Sequence, residues 1–159
     1  MRRILAAIAI VAFAGCAAAP KKGEDLMESV MTYNEGVRWD RLTAAASRVP
    51  PAEREDFVDE RDELSEDLEI TDWEVKRVTD RSDHQAYVHV KYTWYKSDEG
   101  IVHETHAKQS WERKGKAWLI VDERRTRGEE MPGLAEAEEE GDEAEVADGP
   151  DDATPAEPR

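Results

Sequence analysis

The sequence predicts an α+β fold in which three N-terminal helices pack on a curved four-stranded antiparallel meander. Three observations carry that expectation. Apolar residues recur at helical spacing between residues 24 and 67, they alternate with period two from about residue 73, and three turn signals in the second half close hairpins that agree on one apolar face.

Leu26, Val30, Tyr33 and Val37, beside Met27 and Met31, place an apolar stripe on a first helix, with Gly36 as its C-terminal cap or kink. Trp39, Leu42, Ala45 and Ala46 mark a second, short helix that stops before Pro50. Pro51 at a first helical position, with Glu53 and Glu55 in the first turn, starts a third helix whose apolar positions are Phe57, Val58, Leu64 and Leu68. Nine of the fifteen residues from Glu53 to Asp67 are acidic, a density that fits a solvated helix face better than a cation site.

In the second half, Asp80 to Asp83, Ser97 to Gly100 and Lys114-Gly115 are the turn signals. Closing the hairpins as Thr79 with His84, Lys96 with Ile101 and Arg113 with Lys116 puts cross-strand partners on a common face. That face collects Trp73, Val75, Ala86, Val88, Val90, Tyr92, Trp94, Thr105, Ala107, Gln109, Trp111, Trp118 and Ile120, with His103 opposite Trp94, Trp111 opposite Trp118 and Asp122 next in phase. The opposite face is mostly charged but carries Tyr87, Tyr95, Val102, Leu119 and Val121, through which a homodimer is one expectation. Leu68 and Ile70 fall out of phase with Trp73 and Val75, which calls for a bulge or strand start near Thr71 to Asp72.

The two ends of the chain differ from this middle. Residues 128 to 159 hold 13 acidic side chains and a single basic one, Arg159, so most of the net charge of −16 lies there. Such a stretch buries too little apolar surface to offset roughly 1 to 2 kcal/mol of ordering entropy per residue, so a disordered acidic tail is expected after a folded domain at 24 to 127. No basic run along the chain is suited to neutralising phosphates, and nucleic acid is not an expected partner. At the other end, Arg2 and Arg3 precede an apolar run from Ile4 to Ala14 and then Gly15-Cys16, the layout of a secretory signal in residues 1 to 15. The run is shorter than the roughly 20 residues that cross a bilayer.

Phe13-Ala14-Gly15-Cys16 resembles the lipobox of bacterial lipoproteins, with Phe13 where that family prefers Leu. The resemblance implies cleavage before Cys16, acylation of that cysteine, and a lipidated linker over residues 16 to 23; two or more acyl chains give durable membrane attachment. Ala17 stands where Asp marks inner-membrane retention, so the resemblance implies an outer-membrane anchor facing the periplasm. Ordinary secretion with cleavage after Ala12-Phe13-Ala14 is the alternative. Cys16 is the single cysteine, which excludes an intramolecular disulfide.

Three segments resemble the nuclear transport factor two-like superfamily over roughly residues 24 to 124. They are Thr32-Tyr33-Asn34-Glu35-Gly36-Val37-Arg38-Trp39, Leu68-Glu69-Ile70-Thr71-Asp72-Trp73-Glu74-Val75, and Gln109-Ser110-Trp111-Glu112-Arg113 turning through Gly115 into Ala117-Trp118. The cone-shaped fold of that superfamily also carries ketosteroid isomerases, polyketide cyclases and many bacterial lipoproteins, and it implies a cavity between curled sheet and helices. Tyr92, Trp94, His103, Thr105, Gln109 and Asp122 are the candidate ligand-binding residues of such a pocket. Asp122 with Tyr92 or His103 is the one carboxylate and donor pairing of the kind an isomerase needs. Tyr33 does not match the spacing of the family's donor tyrosine, so no catalytic residue carries over. His103 and His106 fall on opposite faces of a strand, and His89 and His106 stand beside Lys91 and Lys108, so neither a metal nor a cofactor is expected. The expected function is a non-catalytic, lipid-anchored cell-envelope protein that binds a partner protein or an apolar small molecule. An isomerase- or cyclase-like enzyme and a structural envelope spacer are the alternatives.

Overall fold

The structure, a computed structural model, describes residues 24 to 136. The expected signal segment, Cys16 and the expected linker, and the chain from residue 137 lie outside the described residues. Asp25 opens helix α1 (Leu26–Arg38), its carboxylate accepting the Met27 N–H at 2.8 Å. Val30, Tyr33 and Val37 are buried, as their spacing requires. Gly36 neither caps nor kinks the helix. A Cβ there would lie 2.8 Å from Ala45, so the missing side chain lets α2 (Leu42–Ala46) cross in close contact. Trp39 does not belong to the core of the second helix either: it caps α1, is 57% exposed, and donates its indole N–H to Glu35 Oε2 at 2.8 Å. Helix α3 (Arg54–Ser65) begins after a turn over residues 51 to 53, and the buried residue on it is Arg61, midway along the stripe from Phe57 to Leu64.

The sheet runs β1 (Leu68–Ser82), β2 (Gln85–Lys96), β3 (Val102–Lys114) and β4 (Ala117–Gly128) as an antiparallel meander, with a short fifth strand, β5 (Ala135–Glu136), parallel to β4. Five strands therefore replace the expected four, and the pairing is not purely antiparallel. The fifth comes from the segment assigned to the tail. Met131, 2% exposed, enters the core and Leu134 packs against it, so ordered packing continues past residue 127 to Glu136. Two large apolar side chains suffice to dock a segment that its composition otherwise marks as unable to fold.

The β2–β3 register is the predicted one, with Trp94 opposite His103 and Tyr95 opposite Val102. The β1–β2 hairpin closes two residues tighter than predicted, at Ser82 with Gln85, and the β3–β4 hairpin closes at Lys114 with Ala117, a turn of the predicted length moved one residue along each strand. The offset from the predicted pairing is two at residues 72 to 75 of β1 and 111 to 114 of β3, where side chains keep their faces, and it changes by one at each register shift. Trp111 accordingly faces Ile120 rather than Trp118, and the predicted aromatic face still forms the core with α1, Val49 and Met131. The irregularity expected near Thr71 is present between Ile70 and Asp72, and further register shifts lie between Val75 and Arg77, Asp80 and Ser82, His106 and Ala107, and Ser110 and Trp111.

Candidate functional site

The last of these shifts decides what lines the inside of the cone. Ser110 and Trp111 are adjacent on β3, but their partners on β4 are Asp122 and Ile120, so Val121 is an extra residue. A one-residue slip inverts the faces beyond it. Asp122 consequently turns to the outer face, where Arg124 Nε donates to both its oxygens at 3.0 and 2.9 Å. Glu123, opposite Gln109, takes the inward position that the unbroken alternation assigned to Asp122.

The Glu123 side chain is 8% exposed and has four partners. Tyr33 and Tyr92 donate their hydroxyls to it at 2.9 and 2.7 Å, Gln109 Nε2 donates at 2.8 Å, and the Arg61 guanidinium stands 3.6 Å away. Asn34 closes the network: its Nδ2 donates to the Val30 carbonyl at 2.8 Å and its Oδ1 accepts from Gln109 at 2.9 Å. Helix α1 thus supplies Tyr33 and Asn34 from adjacent positions, α3 supplies Arg61, and the sheet supplies the rest. Burial, and then the charge of Glu123, push both phenols well above the usual tyrosine range, so they remain protonated donors at neutral pH. Burial works against the charge of Arg61, but Tyr33, Glu123, Tyr92 and Glu60 outweigh it and hold the guanidinium protonated.

Of the six candidate pocket residues, Tyr92 and Gln109 meet at this network. Trp94, Thr105 and His103 form a separate cluster: Trp94 Nε1 donates to Thr105 Oγ1 at 2.8 Å, Thr105 Oγ1 donates to the Glu129 carbonyl at 2.6 Å, and the His103 ring stacks on Trp94 at 4.7 Å. Thr105 thereby ties down the segment after β4, and Trp94 and His103 line a cleft of about 490 Å³ with Lys96, Glu99, Glu129 and Pro132. Asp122 is outside. Glu123, Tyr33, Asn34 and Arg61 are the members that pattern reasoning from the sequence did not assign.

A carboxylate engaged by two phenols, an amide and a guanidinium has its lone pairs occupied, and it fixes the relative positions of two helices and three strands. A cleft of about 540 Å³ lined by Tyr33, Phe57, Arg61, Glu123 and the segment Gly133 to Ala135 reaches the edge of the network. A second cleft, about 460 Å³, lies between the α1–α2 connection, α3 and the start of β1, with Trp39, Leu42, Leu64 and Ile70 beside Arg38 and Asp40. Among the described residues no cluster of His, Cys, Asp or Glu is placed to hold a metal ion, and no helix is long and apolar enough to cross a membrane.

No family model and no curated protein matches this chain. Among solved structures it is similar to a ketosteroid isomerase-like protein from Erwinia carotovora atroseptica, with a TM-score of 0.51 and 12% identity over 62% of this chain and 89% of that one. It is also similar to a SEC-C motif containing protein from Rhodopseudomonas palustris, with a TM-score of 0.52 and 10% identity over 59% of this chain and 73% of that one. At such identities the likeness is one of architecture. The chain has an α+β fold similar to that of the ketosteroid isomerase-like protein.

Proposed function

We propose that this chain is a lipid-anchored protein of the bacterial cell envelope whose cone domain is a non-catalytic module that binds a partner protein. The observation that carries the reading is the engagement of Glu123: the inner-face carboxylate is spent on Tyr33, Tyr92, Gln109 and Arg61, whereas a general base must be free to reach a substrate proton. Fully buried Gln109, Trp111, Val88 and Val90 occupy the inner face with side chains, which supports a protein partner over an apolar ligand held in the cone. The cleft beside Trp39 offers that partner a half-exposed indole flanked by Arg38, two residue types that commonly anchor interfaces. The leader ending at Gly15-Cys16 supports the anchor.

The test uses the full chain in cells. A photo-crosslinking residue in place of Trp39 gives a discrete protein adduct, the same residue in place of Val102 does not, and the N-terminal peptide starts at Cys16 with the mass of added acyl chains. An unacylated, detergent-free mature chain contradicts the anchor; equal labelling at both positions contradicts the binding surface. The cleft that reaches Glu123 favours a second reading, an isomerase-like enzyme, and a turnover abolished by Glu123→Gln in a folded variant establishes it in place of the first.

A further inference from the structure

Strand pairing gathers on the outer sheet face what the sequence scatters. Arg77, His89, Lys108 and Arg124 stand opposite one another in four successive strands, and Lys91, His106 and Arg127 make the neighbouring row. A hollow of about 210 Å³ lies among Lys76, Arg77, His89, His106, Thr126 and Arg127. Like charges directly across strands are destabilising. Some are offset: Glu74 meets Lys76 at 2.7 Å, Glu104 meets Lys91 at 2.8 Å and Asp122 meets Arg124. Arg77, Lys108 and Arg127 have no carboxylate within ion-pair distance among the described residues, and Arg77 instead lies 3.3 Å from the His89 ring. Burial, then Arg77 and Lys108, hold His89 below the usual imidazole range. Burial, then Arg127, do the same to His106 against the opposing pull of Glu104. A chain of net charge −16 thus presents one positive face.

The path of the backbone names the anion. Strand β5 runs parallel to β4, with Ala135 beside Arg124 and Glu136 beside Arg125, so the chain leaves the described residues heading along β4 toward Thr126 and Arg127 at the rim of the hollow. The 23 residues that follow, 137 to 159, hold ten carboxylates and one arginine. Extended, they reach up to about 76 Å, while four strands at about 4.8 Å spacing are roughly 15 Å across. A segment tethered this close has an effective concentration on the order of millimolar.

We propose that the acidic segment 137 to 159 docks across this face, setting its carboxylates against Arg77, Lys108 and Arg127. A second copy of the chain is a poorer fit, because a two-fold pairing of the face sets the same cations against themselves. The inference is independent of the membrane anchor and of what binds near Trp39.

The test takes the full chain in detergent, half of it labelled with ¹⁵N, and treats it with a carbodiimide, which condenses a carboxylate with a lysine amine to an amide as the reagent takes up water. The Lys91 to Glu104 link serves as the internal control. Docking gives links from Glu138 to Glu145 onto Lys76, Lys91 or Lys108, within one isotope label, that fall about tenfold from 0.01 to 1 M salt as the screening length shrinks from about 30 to 3 Å. Arg77→Glu with Arg127→Glu lowers them similarly while keeping the lysine reporters, and the salt series on the unaltered chain reads the same effect should that variant not fold. Links shared equally between labels overturn the proposal in favour of a second copy. Equal links to Lys96, Lys114 and Lys116 overturn it in favour of an undocked tether. Protection of the lysines only on adding phosphatidylglycerol vesicles, without tail links, overturns it in favour of an anionic lipid surface.

Discussion

Glu123 and Asp122 are chemically near-equivalent neighbours, and which of them enters the cone depends on one extra residue, Val121. Inside, the carboxylate draws charge-assisted hydrogen bonds from Tyr92 and Tyr33, so Tyr92→Phe should lower the urea-measured stability by about 1.5 to 3 kcal/mol, the range for a lost bond to a charged group. A change below about 0.5 kcal/mol is inconsistent with the network. Tyr92 and Gln109 were legible in the sequence because the alternation up to Ile120 is regular; Glu123 was not, since period-two alternation carries no mark of a slip and two consecutive acids conceal it. Arg61 left a signal. It falls between Phe57 and Leu64 at i+4 on the apolar stripe of α3, where a charged residue must find a buried counter-charge or leave the core. Asn34 and Tyr33 left none beyond their helical position.

At the scale of elements, the close crossing of α1 and α2 depends on Gly36. Gly36→Ala gains about 1 kcal/mol of helix propensity but drives a methyl into Ala45, so a net loss of about 1 to 2 kcal/mol is expected in a thermal or urea melt. An unchanged or raised midpoint contradicts that role. The segment after β4 is equally structural: Met131→Ala should cost about 2 to 4 kcal/mol, and truncation after Gly128 should destabilise the domain far more than truncation after Glu136. Equal midpoints for the two truncations contradict this. The three helices and the four-strand meander were readable because each carries a sustained period. Strand β5 has two residues set among acids, and what docks it, Met131 with Leu134, is a pair of apolar side chains that no periodicity reveals. Trp39 was misplaced for the converse reason: a large apolar residue in phase with a short helix reads as core, yet here it is a cap packed under Arg38.

For the whole molecule, charge is arranged by topology rather than by sequence order. The cations of the outer face come from four strands, in groups as short as Lys76-Arg77 that are separated in the chain and brought side by side by strand pairing. The α+β class was legible because three hairpins had to agree on one face, a constraint that survives the register offsets in two of them. What fills the cone was not legible, since it turns on one bulge. The central claim, that the inner carboxylate is committed to the fold, is tested most directly by a double-mutant cycle in urea with Arg61→Met, Glu123→Gln and the pair combined. Each single change leaves a buried group without its partner and should cost about 3 kcal/mol, while the double should cost about 2 kcal/mol less than the sum of the two. Additivity within about 0.5 kcal/mol contradicts the claim, because it means that Arg61 and Glu123 do not meet and that the carboxylate is free for other chemistry.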